Sequence, residues 1–175
     1  MAYAIVRTDR LSGTKDPSQL KSVRYMGSGS AETAIENGNV VVLGDLTADR
    51  EVYKALTPAA SNVLDDLYLI ASVEVNYDER KKNLNEFRNE VGGPAARAYK
   101  LHVGSEYSVT AEALDGTPKV NDFVLIQAST KLKASTAHTA GANAVGKIVA
   151  IETAGAETYY VIRVMNIATP AVVGG

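Results

Sequence analysis

Apolar residues along this chain recur mostly at every second position, in short runs broken by turn-forming residues, and that period predicts strands. Tyr3-Ala4-Ile5-Val6-Arg7 is the first short run. Asn39-Val40-Val41-Val42-Leu43-Gly44 follows the Asn37-Gly38 pair, whose glycine supplies the positive φ of a tight turn. Val52-Tyr53-Lys54-Ala55-Leu56 stops at Thr57-Pro58. Leu67 to Val75 is the longest run, continuously apolar and then alternating, as expected of a strand buried on both faces at one end. Further runs lie at Tyr99–Val103, Glu106–Ala111 and Asp122–Gln127. Gly146–Glu152 and Thr158–Val164 form a hairpin across Ala154-Gly155-Ala156.

A helical spacing occurs over 78–89, where Leu84, Phe87 and the flanking Val91 fall at i, i+3 and i+7. Acidic Asp78 and Glu79 at its start and Arg88 near its end suit the helix dipole, and Val91-Gly92-Gly93-Pro94 closes it. Residues 129–143, rich in Ala, Thr, Ser and Lys, carry no core-forming pattern and read as an exposed loop. The predicted fold is therefore mainly β: a small antiparallel β-barrel or sandwich with one short surface helix and an extended N-terminal arm. Its organisation reads as an arm over 1–36, a β-rich middle region over 37–96 containing the helix, a small β-barrel unit over 97–168, and a flexible tail over 169–175.

Charge sharpens this division. The chain has 175 residues, with 18 basic and 20 acidic side chains, for a net charge of -2. Residues 1–30 hold Arg7, Arg10, Lys15, Lys21 and Arg24 against Asp9 and Asp16, an excess of +3. Residues 31–100 carry eight basic and twelve acidic side chains, so a basic arm precedes an acidic body. The overall balance lacks the basic excess of a nucleic-acid binder. Cysteine is absent, which removes disulfides, thiolate metal sites and cysteine nucleophiles and fits a reducing cytoplasm. The opening MAYAIVRTDR has too short an apolar run, with no basic residue ahead of it, for a secretory signal, and no run has the ~20 residues needed to cross a bilayer. The expectation is a protein made and used in aqueous surroundings.

Candidate chemistry is sparse. His102 and His138 lack any metal-binding spacing, so no metal or cofactor is expected. The neighbouring acids Asp65-Asp66 and Asp78-Glu79 point in different directions on a strand or helix, whereas a catalytic pair must converge. Gly27-Ser28-Gly29-Ser30-Ala31 has neither the nucleophile-elbow order nor the terminal G-K-[ST] of a phosphate loop, and reads as a linker. Arg80-Lys81-Lys82 has acidic neighbours at helical spacing, so its charges are expected to satisfy each other. Tyr159-Tyr160 offers an aromatic pair, but tyrosine in a strand usually packs with a wet hydroxyl. None of this points to an enzyme or a small-molecule substrate.

Several segments resemble structural proteins of tailed bacteriophages encoded with the head genes, the capsid decoration or cement proteins. The likeness is carried by Glu36–Leu46, by Tyr77-Asp78-Glu79-Arg80-Lys81, by Ala98–Gly104, and by Tyr107-Ser108-Val109-Thr110, Gly146-Lys147-Ile148 and Tyr159-Tyr160-Val161-Ile162. It spans most of 36–165 as strand-and-turn pattern. The resemblance implies a virion protein on the outer surface of the capsid that bridges major capsid protein subunits, made in the host cytoplasm and self-associating as a trimer. Such a protein works by adhesion, without nucleic acid, membrane or substrate. An arm that orders on binding covers a large area, and on this reading Arg7, Arg10, Lys15, Lys21 and Arg24 face acidic patches on the shell. Another virion component, such as a head-fibre base or tail part, and a carbohydrate-binding module are the alternatives.

Overall fold

The computed structural model describes residues 2–8, 11, 19–27, 31–76, 78, 80–81 and 83–170. Its twelve strands are β1 (Val6–Arg7), β2 (Leu20–Tyr25), β3 (Val40–Leu46), β4 (Tyr53–Leu56), β5 (Leu67–Ile70), β6 (Ala96–Lys100), β7 (Glu106–Val109), β8 (Leu114–Asp115), β9 (Phe123–Leu125), β10 (Leu132–Ser135), β11 (Ala144–Ala154) and β12 (Glu157–Val164). The fold is mainly β, as the alternation predicts.

Five strands close into a barrel in the order β2-β4-β3-β5-β6. β2 and β4 run parallel, with Val23 opposite Tyr53, and every other pairing in the barrel is antiparallel. The remaining seven form a sheet in the order β1-β7-β12-β11-β9-β10-β8. The closed barrel is thus built from residues 20–100, and the open sheet from β1 and the strands after residue 105, whereas the strand pattern placed the barrel unit over 97–168.

Consecutive residues of the barrel strands feed two cores. Val41, Ile70, Ala96 and Ala98 point into the barrel with Val23 and Ala55. Their neighbours Val40, Leu69 and Tyr99 point out and pack against Tyr107, Val109, Val124, Ile148 and Ile162 of the sheet. A strand buried on both faces reads as an unbroken apolar run, which accounts for Val40-Val41-Val42 and Leu67–Ile70. The interior of a five-stranded barrel is narrow, and three alanines help fill it.

Four local expectations are corrected. Among the described residues of 78–89 there is no continuous helix, and a single 3-10 turn, Leu84–Glu86, stands there. Asp78 binds both the backbone N–H and the guanidinium of Arg80, which favours a turn over a helix. Asn89 then pairs with Ile35 in an antiparallel bridge that draws the chain out straight. Within 129–143, β10 pairs with β9 and β8, burying Leu132 and Ala134 while Lys133 faces solvent. Residues 1–36 are not wholly an arm, because β1 joins β7 and β2 is a stave of the barrel with Val23 fully buried. Thr169 donates its hydroxyl to Asn143 and the Pro170 carbonyl accepts from Gly141, so the start of the 169–175 tail is tied to the sheet; 171–175 lie outside the described residues.

Candidate functional site

The described cations of the N-terminal segment, Arg7, Lys21 and Arg24, are engaged within the chain. Arg7 lies 3.4 Å from the Glu152 carboxylate and 5.6 Å over the Tyr159 ring. Arg24 donates to Glu32 at 2.9 Å and to the Gly93 carbonyl at 3.2 Å. The Lys21 ammonium sits 5.5 Å over the Tyr53 ring. These are three separate neighbourhoods. Arg10 and Lys15 lie outside the described residues.

The other sequence candidates also scatter. His138 Nε2 meets the Ala142 carbonyl at 2.7 Å and its ring lies 5.2 Å from Phe123, while His102 Nε2 is buried with no hydrogen-bond partner. Among the described residues no group of three His, Asp or Glu side chains could hold a metal ion. Asp66 is used as a turn cap, accepting from Asn62 and from the Val63 N–H, each at 3.0 Å. Arg80 binds Asp78 at 3.0 Å and holds its carboxyl below the usual range. Tyr159 is buried, which lifts its phenol pKa, and Tyr160 packs against the main core. Ser28, Gly29, Ser30, Glu79 and Lys82 lie outside the described residues. No helix among the described residues is long and apolar enough to cross a membrane.

One concavity lies at the end of the barrel where β5 and β6 leave their ladder. It measures about 500 Å³ and is lined by Ser72, Val73, Val75 and Asn76, the Asp78 and Lys81 turn, the run from Glu86 to Glu90, and Gly93, Pro94, Ala95 and Arg97. Val73 is 60% exposed, Val75 52% and the adjoining Val91 58%. Three large apolar side chains left in water around one cleft are uncommon on a surface that touches nothing.

Its walls are anchored to barrel strands. Asn37 donates to the Ser72 carbonyl and accepts from the Ser72 N–H, both at 2.9 Å. Asn89 donates to the Ile35 carbonyl at 3.1 Å and to Asn37 Oδ1 at 3.4 Å, so one buried amide joins the two sides. The Arg97 N–H donates to Ser72 Oγ at 3.0 Å. Arg24 reaches the third wall at Gly93. Sequence reading missed this site because Val73 and Val75 continue an apolar strand pattern and read as core. Two valines flanking Glu74 beyond the paired strand were the available signal.

A second concavity of about 390 Å³ lies between Val63-Leu64-Asp65, Val103, Asn143-Ala144 and the run from Met165 to Thr169. The arrangement as a whole defines a barrel packed on an open sheet, with a cleft edged by apolar side chains. No protein-family model, curated protein or solved structure matches the chain.

Proposed function

We propose that this chain is a virion structural protein of a tailed phage that binds the outside of the assembled head and stabilises contacts between major capsid subunits. The observation that carries this reading is the 72–97 cleft, where Val73 and Val75 stand exposed on a wall bonded to a closed barrel, with exposed Val91 adjoining. Pre-organised walls lose little conformational freedom when a partner docks, which favours adhesion. The resemblance of 36–165 to cement proteins supplies the identity of the partner in this reading. Arg7, Lys21 and Arg24 serve the shell on this reading only in competition with the internal groups they touch.

The test is co-sedimentation of the full chain with expanded, DNA-filled heads of the phage whose genome carries this sequence. Binding to expanded heads above a head-free control is expected. Equal pelleting with and without heads overturns the reading. Electron microscopy of labelled particles that places the chain on the tail or at one vertex replaces it with a tail or fibre component.

A further inference from the structure

We infer that a second copy of this chain adds to the open edge of β11, pairing antiparallel over residues 150–154 about a twofold axis at Glu152; this stands apart from the head-binding reading above. β9 covers the outer edge of β11 at Ala144, Gly146 and Lys147. The next outward groups belong to Ile148, whose N–H donates to the Asp122 carbonyl at 2.9 Å and whose carbonyl accepts from the Asn121 N–H at 2.8 Å. Past the irregular step between Ile148 and Ala150, β11 is paired on one side alone, with β12.

Turn geometry fixes which backbone groups are left over. Gly155 takes φ +64° as the first residue of a two-residue loop, which marks a type II′ turn and makes the flanking pair, Ala154 and Glu157, a hydrogen-bonded one. Bonded and unbonded pairs alternate along an antiparallel ladder. Glu152–Tyr159 is therefore bonded, while Ile151–Tyr160 and Thr153–Thr158 are not. The same parity turns Tyr160 toward Val109 of β7, so Ile151 and Thr153 aim their N–H and carbonyl groups out of the opposite side of the hairpin. No described residue bonds them there. Ile151 is 45% exposed, and Thr153 is exposed as well. An open strand is a template for another strand unless a Lys, a Pro or a bulge blunts it. Residues 150–154 lie past the bulge and hold neither Lys nor Pro.

Self-complementarity selects a second copy as the occupant. With Ile151 set against Thr153 of the other chain, every open group on both edges finds a partner at once. Centring the axis on Ile151 or Thr153 instead sets the other residue against the bulge or the turn. The same register places Ala150 opposite Ala154, whose small side chains allow the closer approach of an unbonded pair, and joins β-branched Ile151 to Thr153. Glu152 meets Glu152 of the second copy, and like charges directly opposite disfavour pairing. Arg7 lies 3.4 Å from that carboxylate within each chain and offsets the repulsion. The Gly155-Ala156 turn of each copy falls against the 119–122 turn of the other, where Val120 is 44% exposed. A strand of unrelated sequence carries no such built-in match, and an isologous contact of this kind closes at two chains.

The experiment is sedimentation of the full chain across a concentration series, with amide hydrogen exchange read at each concentration. A dimer is expected, and the Ile151 and Thr153 amides slow as it forms, while that of Glu152, already bonded to β12, is slow throughout. Ile151→Pro, tolerated where the N–H faces outward, removes one bond from each copy and should weaken association roughly thirtyfold. Ile151→Lys is the second variant should the first not fold, and thermal unfolding checks both. The chain has no cysteine, so Glu152→Cys supplies a single thiol on the axis. Its oxidation should link two chains where the exposed control Glu112→Cys stays single. A chain that stays monomeric with fast exchange at Ile151 and Thr153, a trimer, or a dimer that neither Ile151 variant weakens overturns the proposal. Slowing of those amides only when heads are added assigns the edge to a shell strand and also overturns it, leaving the head-binding reading standing. Dimerisation without head binding overturns that reading alone.

Discussion

Asn37 holds Ser72 by both of its backbone polar groups, donating to the carbonyl and accepting from the N–H at 2.9 Å each. The side-chain amide takes the place of another strand beyond Ile70, where the β3–β5 ladder has ended. Asn37 is only 1% exposed, so groups left behind by its removal would be poorly hydrated. Asn37→Ala is expected to cost roughly 2 kcal/mol. Faster hydrogen exchange at the Ser72 amide than in wild type would locate the loss, and an unchanged rate there would contradict the clamp.

Gly146 has no room for a side chain. A Cβ built there would run into the Arg163 carbonyl of the neighbouring strand, at the irregular step in the β11–β9 register. Backbone cannot yield as a flexible side chain can. Gly146→Ala is expected to cost about 3 kcal/mol, read from the urea midpoint at constant slope.

Tyr107 is 2% exposed and its hydroxyl has no hydrogen-bond partner, so burial alone pushes its pKa up. Removing an unpaired polar atom from an apolar core relieves a desolvation cost. Tyr107→Phe is expected to be neutral or stabilising by up to about 1 kcal/mol. A clear loss of stability would mean that the hydroxyl is satisfied.

The Asp66 carboxyl is held below its ordinary 3.8, first by the Asn62 amide, then by the Val63 N–H, with attraction from Lys100. A folded-state pKa below the unfolded value means that the ionised form is favoured by folding. That contribution is present above the unfolded value of about 3.9 and is lost as pH falls through the lower folded one. Urea midpoints taken from pH ~6 down to ~2.5 should fall less steeply below pH ~4 in Asp66→Asn than in wild type. The difference is small, because Asp66 is exposed.

β2 makes the N-terminal segment part of the body. Deleting residues 1–30 removes the stave between β4 and β6, and the cooperative unfolding transition is expected to disappear with it. Val23→Ala, at a fully buried position, should cost roughly 2 kcal/mol. Deletion therefore cannot isolate the basic side chains; charge substitutions at Arg7, Lys21 and Arg24 test them with the barrel intact.

Strands with strong patterns were legible. The hairpin of β11 and β12, the apolar Val40–Val42 and Leu67–Ile70 runs and the Asn37-Gly38 turn follow from alternation and turn chemistry, with Gly38 at φ +81°. β2 was not, because Leu20, Val23 and Tyr25 are interrupted by Lys21, Ser22 and Arg24, and Lys21 covers Tyr53 with its own side chain. β10 hid in a low-complexity stretch where only Leu132 and Ala134 are buried. The 78–89 spacing misled because Leu84 is half exposed and Phe87 buries itself from an extended segment. The role of Asn37 in the cleft carried no local signal, since its partner lies 35 residues away.

Alternation, turn residues and the absence of cysteine determined by themselves that this chain would be a strand-built protein held by apolar packing. Tertiary structure alone decided which strands close the barrel, which cations are consumed by Glu152, Glu32 and Tyr53, and which valines stay in water beside Lys81 and Arg97. The reason is range. A strand's period is written in adjacent residues, whereas a cleft is assembled from side chains that share no stretch of sequence until the sheets have closed.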